Sequence, residues 1–388
     1  MAYKILIIHN QYQHKGGEDS VVENEIALLT ERGHDVRIYT RDNHEISMHG
    51  KIALAINTIW SNKAYSEVSY EIGDFKPDII HAHNTFPLIS PSIYWLAHKS
   101  NIPIVQTLHN FRLLCPQAIF LREGKICEDC LGRSPWRGAM RGCYRNSVAQ
   151  STVLTAMLEI HRTLGTYHEK VDQYIALSDF SKSKYIAGGL PEKKISVKPN
   201  FAPDLNVNGN STDKVGFLFV GRLSIEKGIS VLRDAAVQCA DSLFKVAGSG
   251  PEDQQLSGIA NIKRLGNLSA QEVRFSMQQS KMLILPSICY ENMPMTILEA
   301  YASAVPVIAS RLGALADLVQ DGVTGLLFEP NNPNDLVKKI IWANENPDAV
   351  SEMGRNARLR YESYFTPEAN YQQLIEIYKK TLKMKGIQ

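Results

Sequence analysis

Short apolar runs alternate with longer stretches in which apolar positions recur every three or four residues, from one end of the chain to the other. The short runs predict buried strands at Lys4–Ile8, Asp35–Tyr39, Ile79–His81, Ile104–Thr107 and Gln173–Leu177. A second set follows at Gly216–Val220, Leu243–Val246, Ile262–Leu265, Met282–Leu285, Val307–Ala309 and Gly325–Phe328. Between them, Val21–Arg32, Ile229–Cys239 and Asn334–Trp342 carry helical spacing. Such alternation implies α/β architecture: parallel sheets covered on both faces by helices. The pattern stops at Phe201–Asp213, rich in Asn, Pro, Asp and Gly, and restarts at Val215, which predicts an interdomain linker. A last helix, Pro367–Leu382, follows a break at Tyr364-Phe365-Thr366.

A chain of 388 residues suits two domains better than one. The expected division is residues 1–199, residues 200–365, and a terminal helix at 366–388 that returns to the first domain. Hydrophobic residues at 44% and charged residues at 21% exclude a disordered chain. Forty-two Lys plus Arg against forty Asp plus Glu leave +2, too balanced for a nucleic-acid partner. No run approaches the roughly 20 apolar residues of a membrane span. Ile5–Ile8 is too short for a signal-peptide core, so a cytoplasmic address is expected.

Doubly wound sheets bind ligands at the carboxyl ends of their strands, which directs attention to the strand-to-helix loops. After the first strand, Gly16-Gly17 would let backbone amides approach a phosphate or sugar, although a plain flexible turn has the same composition. In Gly221-Arg222-Leu223-Ser224-Ile225-Glu226-Lys227-Gly228, two cations straddle the turn after a buried strand, as an anion site requires. After Met282–Leu285, Glu291 sits in a loop and Glu299 on a helix that Pro294 can open, with Asn292, Met293 and Pro294 around the helix start. The uncharged stretch that follows Glu299 predicts a largely buried helix, where a carboxylate needs a partner. His109 follows the strand at Ile104–Thr107 and can reach the same cleft, although a lone histidine is more often structural. The strand end at His81-Ala82-His83-Asn84 adds polar groups of less specific character. No Asp-x-Asp metal clamp and no P-loop occur, and Gly248-Ser249-Gly250 continues into Asp253 where a dinucleotide fingerprint needs glycine.

Cys115, Cys127, Cys130 and Cys143 fall within an insertion at 112–146 that is rich in Arg and Gly and poor in apolar residues. Four thiolates around a tetrahedral zinc would hold such a segment together; free thiols or a redox pair are the alternatives. Because the insertion directly follows His109, it is expected to flank the same cleft, its basic surplus facing a phosphate-bearing ligand or a membrane. The basic tail Lys379–Lys385 suits a solvated helix end, with peripheral contact to the inner membrane face as a further expectation.

The loop residues together resemble glycosyltransferase family 4, the retaining enzymes with the GT-B fold, two Rossmann-like doubly wound domains facing across a cleft. The likeness rests on Val220-Gly221-Arg222 with Glu226-Lys227-Gly228, Val246-Ala247-Gly248 with Gly250-Pro251, Glu291 with seven residues before Glu299, and Val305–Ser310. Asp321-Gly322, Thr324–Leu327 and Pro330 complete it. The resemblance implies that Arg222 and Lys227 hold a nucleotide diphosphate, that Glu299 accepts from ribose hydroxyls, and that Glu291 lies beside the donor sugar. It further implies that His109 lies near the reacting carbon and that Gly16 and Gly17 cover the diphosphate. Asn292 and Met293 stand where Phe-Gly is more usual, which leaves the donor sugar open. The implied activity is retaining transfer from a nucleotide-diphosphate sugar to a glycan or lipid-linked acceptor in polysaccharide biosynthesis, with no catalytic metal. A nucleotide-sugar 2-epimerase and a non-catalytic nucleotide-sugar-binding protein are the competing readings.

Overall fold

The computed structural model describes residues 2–13, 15–204 and 214–386, so the linker expected at 201–213 lies mostly outside the described residues. The chain divides into two compact units, the first comprising Met1–Ile119, Glu128–Pro199 and Asn370–Gln388, the second Phe120–Cys127 and Asn200–Ala369.

The first unit contains strands β1 (Lys4–Gln11), β2 (Asp35–Asp42), β3 (Ile79–Ala82) and β4 (Ile104–Leu108). A hairpin of β5 (Leu121–Arg122) and β6 (Lys125–Ile126) intervenes before β7 (Gln173–Ala176) and β8 (Ile195–Val197). The main sheet has the order β2-β1-β3-β4-β7-β8 and is parallel throughout. Its inner strands are almost entirely buried, which is why they read as short, largely apolar runs rather than as alternation. Both β1 and β2 continue past their apolar runs: His9, Asn10 and Gln11 pair with Thr40, Arg41 and Asp42. Polar residues at a strand end carry no apolar signal, so the sequence pattern stops short of them.

The second unit holds β9 (Phe217–Val220), β10 (Phe244–Ala247), β11 (Ile262–Gly266), β12 (Met282–Leu285), β13 (Val307–Ser310) and β14 (Gly325–Phe328). Their order is β11-β10-β9-β12-β13-β14, again all parallel. In both sheets the winding reverses beside the first strand, between β1 and β3 in one unit and between β9 and β12 in the other. Crossovers leave such a point in opposite directions and open a crevice at the strands' carboxyl ends.

The terminal helix, Pro367–Met384, places Leu374, Ile375, Ile377, Tyr378 and Leu382 in one core cluster with Tyr3, Ile5, Ile7 and Ile79 of the first unit. The Cys-rich stretch is divided between the units. Phe120–Cys127 groups with the second, where the Phe120 ring meets the Tyr290 ring edge-on at 5.8 Å.

Candidate functional site

At the reversal point of the second unit, β9 leads into Gly221-Arg222 and β12 into Pro286-Ser287. Gly228 closes the first of these loops with φ +73, and a Cβ there would lie 1.9 Å from the Pro286 carbonyl oxygen. A Cβ on Gly248, whose φ is +128, would meet the Gly221 carbonyl oxygen at 1.9 Å. Glycine is therefore required at both places for the loops to approach each other.

The clasped loops bring together residues 64 apart: Lys227 Nζ donates to Glu291 Oε1 at 2.6 Å. The Ser287 hydroxyl donates to the same oxygen at 2.8 Å. Burial disfavours the Lys227 charge, but the facing Glu291 carboxylate outweighs it and holds the ammonium above its ordinary pKa. Burial, then Glu291, push the neighbouring Cys289 thiol well up, so it is an inert neutral group. Arg222 is exposed and forms no salt bridge among the described residues. The structure thus separates the two cations of the loop: one is locked to a carboxylate, the other stands in solvent.

Glu299 lies in the helix Met295–Ala302, which begins after Pro294 as expected. Burial raises its pKa, with Arg274 pulling in the opposite direction. Its carboxylate has no hydrogen-bond partner among the described residues, so it remains an available acceptor. Asn292 and Met293 are buried, and the Met293 sulfur accepts the Asn200 amide at 3.2 Å.

In the first unit, three histidines collect at the reversal point: His9 at the end of β1, His83 just beyond β3 and His109 just beyond β4. His83 Nδ1 lies 2.9 Å from His109 Nε2, with the rings stacked at 5.2 Å. A cavity of about 40 Å³ lined by His83, His109, Asn110 and Arg112, among others, opens beside them. Burial, then the neighbouring His83 and His9, push the half-buried His109 well below the ordinary histidine range. His83 is lowered to about 3, by burial first and His81 second. Both rings are neutral at physiological pH.

Gly16 and Gly17 open the helix Gly17–Glu31, four residues earlier than the apolar spacing predicts. Glu18 and Asp19 in the first turn suit the positive helix end, and Asp19 Oδ2 accepts the Gly16 amide at 2.8 Å. That amide is therefore occupied. Asp19 Oδ1 also meets His9 Nε2 at 2.9 Å. Although burial opposes it, the bonds from His9 and Gly16 keep Asp19 below its ordinary pKa. Burial raises the Glu18 carboxyl, which accepts from the Tyr12 hydroxyl at 2.9 Å.

Behind the histidines lies a group that the sequence reading does not identify. Glu25 Oε2 accepts from Lys198 Nζ at 3.1 Å, and both side chains are almost completely buried. Glu25 Oε1 lies 2.9 Å from His81 Nδ1 and 3.4 Å from His83 Nε2, but makes no well-aligned hydrogen bond to either. Burial alone would raise the Glu25 pKa; Lys198 and His81 reverse this and hold it well below the ordinary range. One signal was present in the sequence: Glu25 interrupts an apolar helix face formed by Val21, Val22, Leu28 and Leu29.

The four cysteines of the insertion form no disulfides; Cys115 and Cys130 are buried, Cys127 and Cys143 half-buried. No helix of the described residues is long and apolar enough to cross a membrane. Two cations of the basic tail have partners: Lys379 pairs with Glu376 at 2.8 Å and Lys385 with Asp172 at 3.1 Å.

Residues 15–203 match the family model described as Glycosyltransferase Family 4, and residues 201–360 that described as Glycosyl transferases group 1. The uncharacterized glycosyltransferase MJ1178 of Methanocaldococcus jannaschii is 27% identical over 373 residues, 92% of each chain. The alpha-monoglucosyldiacylglycerol synthase of Acholeplasma laidlawii is 25% identical over 312 residues, 74% of this chain and 72% of that one. Among solved structures, Anabaena Alr3699/HepE in complex with UDP-glucose superposes with a TM-score of 0.70 at 18% identity, covering 97% of this chain and all of that one. That likeness shows the fold: two parallel-sheet α/β domains of the GT-B kind.

Proposed function

Since the chain belongs to the family 4, group 1 glycosyltransferases, which move a sugar from a nucleotide sugar, we propose that it does so with retention of anomeric configuration and without a metal at the diphosphate. The observation that carries this reading is the Lys227–Glu291 pair at the reversal point of the second sheet. Fixed positive charge at a strand end suits a leaving diphosphate, on which negative charge grows as the glycosidic bond breaks. Arg222, exposed and unpaired, supplies the second charge, and Glu299 accepts from the ribose hydroxyls. Glu291 plays two parts: it keeps Lys227 charged before the donor arrives and lies beside the donor sugar afterwards. In this reading Asn292, Met293 and Pro294 shape the donor pocket, and the first unit contributes His109 near the reacting carbon. Gly17 supplies a diphosphate contact, since the Gly16 amide is already committed to Asp19.

The acceptor proposed is a glycan or lipid-linked molecule, in line with the diacylglycerol glycolipid named for the Acholeplasma relative. Work on the cytoplasmic side, with peripheral contact to the membrane, accompanies that assignment, and flotation with anionic liposomes tests it. Cys115, Cys127, Cys130 and Cys143 are proposed to bind one structural zinc, since a Cys-x-x-Cys pair flanked by two more cysteines in a segment poor in apolar residues suits tetrahedral thiolate ligation. Elemental analysis showing no zinc, with all four thiols titratable, ends that assignment.

The deciding experiment measures UDP and GDP release from candidate nucleotide sugars with and without acceptors, before and after exhaustive chelation. Acceptor-dependent release that survives chelation, with an α-configured product from an α-configured donor, supports the proposal. Loss of activity restored only by magnesium or manganese refutes the metal-free diphosphate site. Isomerisation without acceptor dependence identifies an epimerase instead.

A further inference from the structure

We propose that Glu25, acting through His83, fixes His109 in the tautomer with hydrogen on Nε2, so that Nδ1 presents a lone pair to the substrate. The inference rests on the placement of His109 near the reacting carbon proposed above, but its structural half is testable alone.

The argument runs outward from the buried carboxylate. Glu25 Oε2 is neutralised by Lys198, whereas Oε1 turns toward His81 and His83. A lone pair on His83 Nε2 would face that oxygen at 3.4 Å and be repelled; a hydrogen there is attracted even without ideal alignment. His83 therefore carries its hydrogen on Nε2. Its Nδ1 is then an acceptor, and the ring 2.9 Å away, His109, must donate from Nε2. A neutral imidazole has one hydrogen, so His109 Nδ1 is bare, and it has no hydrogen-bond partner among the described residues. Neither ring is charged, which removes the doubly protonated alternative.

Glu25, His81 and His83 also lie close enough together to suggest a metal site. The surroundings speak against it. Lys198 already balances the carboxylate, and His81 is engaged at both nitrogens, with the Tyr378 hydroxyl at 2.8 Å and the Thr107 hydroxyl at 2.8 Å. A divalent ion would add two uncompensated charges to the interior.

Glu25→Gln offers a specific signature. Lys198 will hold the amide oxygen, which turns the amide nitrogen toward His83. That NH₂ donates to His83 Nε2, moves the His83 hydrogen to Nδ1, and inverts His109 in turn. Glu25 is thus a positioning residue, and its loss should reduce turnover on the order of 10²-fold with little change in KM, as loss of a correctly poised acid–base group does.

The test uses the full chain labelled with ¹⁵N-histidine, two-bond ¹⁵N–¹H spectra, and His109→Gln for assignment. The expected wild-type spectrum shows a pyrrole-type Nε2 and a pyridine-type Nδ1 for His109, and Glu25→Gln exchanges them. A pyridine-type Nε2 in the wild type overturns the proposal whether or not the variant folds. So does a folded Glu25→Gln protein with unchanged His109 signals. Zinc titration that broadens the His81 and His83 resonances stoichiometrically would establish the metal site instead and overturn the relay. Inverted tautomers with unaltered turnover would sustain the relay and refute the role given to His109.

Discussion

Replacing Lys227 by Ala probes the electrostatic core of the proposed chemistry. In the resting protein its ammonium is 2.6 Å from Glu291 Oε1, with side-chain exposures of 29% and 13%. Two unit charges about 3 Å apart attract by roughly 5 kcal/mol at an effective dielectric of 20, before desolvation is deducted. Most of that is offset by desolvation of the pair, so the net stability at stake on truncation is about 1–3 kcal/mol, the cost of leaving Glu291 buried with only Ser287 as donor. The kinetic loss should be larger. A fixed donor that meets charge developing on a leaving group is worth about 2.7–4 kcal/mol, or roughly 10²–10³ in kcat. The two effects separate by assay: denaturant midpoints report the first, and nucleotide-diphosphate release at saturating donor reports the second. Lys227→Ala/Glu291→Gln adds a further control, because removing the stranded carboxylate should recover stability without recovering turnover. A folded Lys227→Ala enzyme with near-wild-type kcat would remove Lys227 from the site, and with it the reading of this loop as a diphosphate clamp.

Three further outcomes follow from the geometry. Gly228→Ala forces a Cβ against the Pro286 carbonyl at positive φ; it should cost at least about 1–2 kcal/mol by the left-handed penalty alone and weaken donor binding, measurable by denaturation and calorimetry. Glu299→Ala removes a charged acceptor worth about 1.5–3 kcal/mol, so the Kd for a nucleoside diphosphate should rise roughly ten- to hundredfold, whereas free phosphate binding should not change. Stability should also fall in acid over a predictable window. His83 stays neutral in the fold down to about 3 while the unfolded chain takes up its proton near 6.5, so the stabilisation is complete above about 6.5 and is lost as pH falls toward 3. At ~1.4 kcal/mol per pH unit this amounts to several kcal/mol, and His83→Gln should flatten that part of the midpoint-versus-pH curve. Glu25 has the same sign, its contribution present above about 4.3 and lost at lower pH.

What could be read from the sequence was whatever has a local signature. Buried parallel strands appear as apolar runs, and Gly221, Gly228 and Gly248 stand out because the loops they serve have fixed spacing along the chain. The Lys227–Glu291 contact was not legible as a contact, since residues 64 apart meet only once β9 and β12 become neighbours. Glu25 and Lys198, 173 residues apart, leave still less trace: each looks like an ordinary surface charge until the sheet closes over both. The hairpin of β5 and β6 escaped because two-residue strands are too short for any period. The early helix start at Gly17 escaped because it depends on Asp19 capping it rather than on apolar spacing.

The placement of Leu374, Tyr378 and Leu382 among Tyr3, Ile5 and Ile79 has a bearing on biogenesis. A protein made from its amino end usually lets its leading domain settle first, while the remainder is still being synthesised. Here the first unit lacks part of its interior until Leu374–Leu382, which follow the whole second unit in the chain, emerge from the ribosome, so the second unit can complete itself earlier. Chains that end just short of Asn370 and have been released from the ribosome should therefore hold a protease-resistant second unit and a vulnerable first unit, the reverse of the order in which the two were translated.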